Sequence, residues 1–146
     1  MKNIVSLLIA LGSWQFIEAM TESEAIGALE GFGDKCEPKP NEDDYKNIVR
    51  NTEDVPQSTK CFRLCLMEQM DLIVDNCKLD GEKLTDLLTM AFDGKEEETA
   101  EIANHCNLKV ECTDKCDAAH AHSMCILNQM KIKKWPLPEL EEDSKQ

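Results

Sequence analysis

Five residues, Cys61-Phe62-Arg63-Leu64-Cys65, constrain this chain more than any other stretch. Cysteines four apart lie on one face of a helix, about 6 Å from each other, so their sulfurs can grip two different neighbouring segments. Downstream, Cys106, Cys116 and Cys125 supply partners, and the last two are nine positions apart, which turns them to opposite sides of a 3.6-residue helix. A helix held from both sides must sit centrally.

The rest of the cysteine reading depends on compartment. Lys2 gives a short basic start, an apolar run follows from Ile4 to about Ile17, and Ala19 is a small residue suited to cleavage, so residues 1–19 read as a secretory signal peptide. Such a run is too short to span a bilayer. Residues 20–146 then form one domain, with an extended C-terminal tail from about residue 132. All eight cysteines fall in that part, and an even count in a secreted, extracellular chain argues for disulfides. Zinc is the rival, but no pair has the Cys-x2-Cys spacing. A formal net charge of −13 repels phosphate backbones and anionic lipid, which argues against nucleic acid as a partner and against membrane insertion. With 5% aromatic residues, the core must be aliphatic and rich in sulfur.

The chain reads as six helices. Thr21 with Glu24 makes a capping box for a short first helix through Ala25, Ile26 and Leu29, which Gly31 and Gly33 loosen. Asn41 caps a second, with acids at 42–44 in its first turn and Tyr45, Ile48 and Val49 on its buried side. A third starts near Gln57 and has Cys61, Phe62, Leu64, Cys65, Leu66, Met67 and Met70 almost all round it, the mark of a buried helix. Residues 72–81 read as a loop over the core, with Asp80-Gly81 as a turn. The fourth helix has a stripe at Leu84, Leu87, Leu88 and Ala91, and the fifth aligns Thr99, Ile102, Ala103 and Cys106. The sixth starts around Thr113, with Cys116, Ala119, Leu127 and Met130 on one side and Ala118, Ala121 and Cys125 on the other. Trp135-Pro136-Leu137-Pro138 then forces an extended segment. No period-two strand pattern stands out.

Catalytic groups are scarce. His120 and His122 are about 200° apart on a helix, so they cannot chelate one metal, and with His105 they read as surface or cap residues. The acidic runs at 96–98 and 139–143 lack a calcium-loop pattern and read as solvated helix start and tail. Two disulfide-rich helical rivals fail on motif. A secreted phospholipase needs adjacent cysteines and a His-Asp pair, and a plant lipid-transfer protein needs Cys-Cys and Cys-x-Cys steps.

With Cys36 added, the cysteine gaps run 24, 3, 40, 9 and 8 residues. This spacing resembles the six-cysteine pattern of the insect odorant-binding proteins, the pheromone and general odorant-binding family, over Cys36 to Cys125. The resemblance implies an all-α, compact bundle of about six helices, cross-linked by interlocked disulfides around an apolar cavity. It also implies a secreted, non-enzymatic carrier of small hydrophobic ligands such as odorants or pheromones, with no cofactor. The alternative is the same fold acting as a scavenger or a protein-interacting member without an odorant ligand. By cysteine order the implied bridges are Cys36–Cys65, Cys61–Cys116 and Cys106–Cys125, each contributing about 3 to 4 kcal/mol in chain-entropy terms. Such bridges make a cavity tolerable at about 24 cal/mol per Å3 of void. The expected lining is Met67, Met70, Leu84, Leu87, Leu88, Met124, Leu127 and Trp135. Besides the ligand, the resemblance leaves a second copy of the chain and a chemosensory receptor open as partners.

Cys77 and Cys112 depart from the six-cysteine pattern. The enlarged class of the family usually has proline directly after its final cysteine, whereas Ile126 follows Cys125 here. Helix three needs about 15 Å to run from Cys61 to Met70, and seven further residues span up to about 23 Å. Cys77 can therefore fold back to Cys112, and a fourth bridge between them is expected.

Overall fold

The computed structural model describes residues 20–141; the expected signal segment and the last five residues lie outside that range. The described chain runs α1 (Glu22–Gly33), α2 (Glu42–Val49), α3 (Gln57–Gln69), β1 (Ile73–Val74), a 3-10 turn (Asp75–Cys77), β2 (Lys78–Leu79), α4 (Gly81–Ala91), α5 (Glu96–Lys109) and α6 (Lys115–Ile132). It is an all-α fold of six helices among the described residues, laced by disulfides.

Local chemistry sets most of the helix starts. Thr21 Oγ1 accepts from Glu24 N while the Glu24 carboxylate accepts from Thr21 N, a reciprocal box that satisfies two orphan amides. Asn41 and Asp44 repeat it for α2. The first helix is firmer than its glycines suggest and runs to Gly33 itself. Gly33 is there because a Cβ would collide with the Tyr45 ring, which in turn stacks edge-on against Phe62 at 5.0 Å.

Residues 72–81 are not a plain loop. Ile73 pairs with Leu79 and Val74 with Lys78 in an antiparallel hairpin, a use that suits β-branched residues. The reversal falls on Asn76 and Cys77, at φ 61° and 57°. Asp80-Gly81 is a helix start and not a turn, since the Asp80 carboxylate accepts from Glu82 N and Lys83 N at 3.0 and 3.1 Å. From α5, the Asn107 amide both accepts from Leu79 N (2.8 Å) and donates to Leu79 O (3.1 Å), standing in for a third strand.

The two longest-buried partners, α3 and α6, run parallel. Gln57 meets Asp114, Lys60 meets Asp117 and Met67 meets Ser123 in ascending order. Four disulfides join Cys36 to Cys65, Cys61 to Cys116, Cys106 to Cys125 and Cys77 to Cys112. They tie α3 to the segment after α1 and to α6, α6 to α5, and the hairpin turn to the α5–α6 connection. Ala25, Leu29, Ile48, Phe62, Leu66, Leu88, Ile102 and Met130 meet in one buried core.

Candidate functional site

The interior face of α3 is a stripe of Thr59, Arg63, Leu66, Met67 and Met70, which the 3.6-residue period brings within one narrow arc. Met67 is buried, and its sulfur accepts from Ser123 Oγ at 3.5 Å. Leu84, Leu87 and Leu88 from α4, Leu127 from α6 and Trp135 from the tail join Met67 in the buried apolar cluster, with Met70 half-buried against it. The fold thus brings seven of the eight expected lining residues to one cluster. Met124 is elsewhere: half-buried, it lines an open groove of about 690 Å3 with Glu53, Lys109, Asp117, Ala121 and Asn128. Ala121 is exposed, so the outer side of α6 packs less than its small residues suggest.

The tail is fixed in place. The Trp135 ring lies 5.0 Å from Phe92, its indole N–H donates to Glu98 at 2.8 Å, and the Lys95 ammonium stands 5.6 Å over the ring. Partial desolvation raises the Glu98 carboxyl, but hydrogen bonds from Trp135 and Lys95 and the charges of Lys95 and Lys133 outweigh it and hold the group below the usual carboxylate range. Leu137 and Leu140 are partly buried against the core, and Glu141 N donates to Met20 O at 3.0 Å. The end of the tail therefore lies beside the start of α1.

The polar side chains of the interior were hidden from a reading of residue types. His120 and His122 are buried and not surface residues, because α6 is enclosed on more than one side. Each gives its Nε2–H to a carbonyl, Glu53 O at 2.8 Å and Cys77 O at 2.7 Å, which leaves each Nδ1 as an acceptor without a donor. Burial pushes both imidazole pKa values down. Asp44 is also buried, with Ser58 Oγ and Thr59 Oγ1 each donating to it at 2.7 Å. A run of acids at a helix start gives no sign of which one turns inward. Arg63 is fully buried too.

Among the described residues there is no group of three or more His, Cys, Asp or Glu side chains able to hold a metal ion, and no helix long and apolar enough to cross a membrane.

Similarity to known proteins agrees with this architecture. General odorant-binding protein 28a of Drosophila melanogaster is 26% identical over 133 residues, covering 88% of this chain and 93% of that protein. General odorant-binding protein 19d of the same fly is 29% identical over 102 residues, covering 66% and 67%. The solved structure of the fly odorant-binding protein 28a superposes with a TM-score of 0.62 at 26% identity, over 77% of this chain and 97% of that one. The PBP/GOBP family model matches residues 18–129, which takes in all six helices but the last turn of α6 and every bridged cysteine. The chain belongs to the PBP/GOBP family.

Proposed function

We propose that this protein is a secreted, non-enzymatic carrier that holds small hydrophobic molecules, odorants or pheromones among them, in its apolar interior. The observation that carries the reading is the convergence of Met67, Leu84, Leu87, Leu88, Leu127 and Trp135 from three helices and the tail, in a chain of this family. Methionine and leucine present apolar surface without a fixed polar demand, and unbranched Met67 and Met70 adapt to several ligand shapes. Affinity is then broad and micromolar, about −8 kcal/mol.

A fluorescent apolar probe, displaced by a panel of alcohols, esters and fatty acids, tests the proposal. Binding is expected in the wild type and is expected to be lost in Leu88→Asp, a charge placed in the middle of the cluster. A second variant, Met124→Asp, locates the site. Loss of binding there would extend the site towards the outer groove of α6, whereas no probe binding to the wild type would defeat the carrier reading.

A further inference from the structure

Two charged side chains are buried among the described residues, and the fold treats them in opposite ways. Asp44 takes hydroxyl hydrogen bonds from Ser58 and Thr59 and the amide of Asn41. Arg63, one turn beyond Thr59 on the α3 stripe, has none: Nε and both terminal nitrogens are enclosed and without a hydrogen-bond partner. The Thr59 hydroxyl between them is already committed, donating to Asp44 and accepting from Asn47.

Burial is the sole cause that moves Arg63, lowering its pKa to about 10, so the guanidinium remains charged at neutral pH. No carboxylate counters the shift. Its titratable neighbour on α6 is His120, whose pKa burial lowers first and the positive charges of Arg63 and Lys60 lower further. An enclosed cation beside apolar groups and a neutral imidazole is strongly unfavourable without a counter-charge, and this one projects from the same arc as Leu66, Met67 and Met70.

We propose that Arg63 is the head-group site of the carried molecule, and that this molecule is an amphiphile ending in a carboxylate, such as a fatty acid. The inference rests on the carrier reading and adds the ligand's chemistry to it. A guanidinium presents parallel N–H donors in a rigid plane, which two carboxylate oxygens match in a bidentate pair. The hydrocarbon part then follows the stripe through Leu66 and Met67 towards Met70. An ester or alcohol of equal length offers the same apolar surface but leaves the cation unpaired. The net charge of −13 opposes an anion only weakly at distance, since physiological salt screens beyond about 8 Å; at contact the enclosed cation dominates.

Dodecanoic acid, methyl dodecanoate and 1-dodecanol, each competing with the same fluorescent apolar probe at pH 7.5, separate the possibilities. In the wild type the acid is expected to bind about tenfold or more tighter than the ester. In Arg63→Met that ratio is expected to fall to within about twofold, with Arg63→Lys in between because it keeps the charge and loses the fork. Equal affinity for acid and ester in the wild type overturns the inference while the carrier reading stands, and this arm needs no variant to fold. A wild-type ratio preserved in Arg63→Met also overturns it. Failure of all three compounds and of the probe itself defeats the carrier reading, and this inference with it.

Discussion

His122 shows how one buried side chain couples this fold to proton concentration. Its Nε2–H is spent on Cys77 O, at the turn of the hairpin, and burial disfavours its charged form. The folded pKa lies below the unfolded value of about 6.5, so the unfolded chain takes up protons first as pH falls. The stabilisation is whole above about pH 6.5 and is lost as pH drops through the folded value. Thermal melts at pH 7.5 and 5.0 are expected to show the wild type losing stability in acid. His122→Gln is expected to lose less, at a cost of about 1 kcal/mol at the higher pH for the altered hydrogen bond. An unchanged acid loss in the variant would assign the effect to His120, which is buried and shifted in the same direction.

At the scale of elements, what was legible in the sequence was what short-range chemistry decides. Thr21 with Glu24 and Asn41 before its acids announce their helices because the partners are three residues apart. Thr99, Ile102, Ala103 and Cys106 form the buried side of α5 as their spacing predicts. The hairpin was not legible, since Ile73 and Val74 are too few to show a period and Asn107, which completes their pairing, comes from a helix 28 residues beyond Leu79. Arg63, His120 and His122 were missed for another reason. Their residue types are ordinarily exposed, and only the packing of α3 against α6 encloses them.

The tail belongs to the same scale. It is anchored by one indole, two half-buried leucines and a backbone bond to Met20, just before α1. Truncation after Lys134 removes Trp135, exposes Phe92 and is expected to weaken retention of a bound apolar probe. The dissociation rate, measured by stopped-flow, is the quantity to compare. A rate equal to that of the full chain would mean that the tail is a dressing on the outside.

At the scale of the molecule, cross-links stand in for bulk. A domain of this size has a modest core, and each bridge removes about 3 to 4 kcal/mol of freedom from the unfolded chain. The Cys77–Cys112 bridge extends this to the hairpin and the α5–α6 connection. Intact mass before and after reduction is expected to differ by about eight hydrogens, two for each of four bridges. A difference of six, or a peptide map joining Cys77 to anything but Cys112, would contradict the fourth bridge.

The covalent net has an inside and an outside. Its first knot is Cys36 and its last is Cys125, so α1 and the tail both lie beyond it, and the backbone bond from Glu141 to Met20 and the bridge beside it at Thr21 fasten these two segments to each other. A molecule built this way has a hem that can be let out without unpicking the cloth. Undoing α1 and the tail together is a local opening, far less costly than global unfolding, and it bares one flank of the core while every cysteine stays paired. The start of α1 and the end of the described tail, remote in sequence, thus share one fastening.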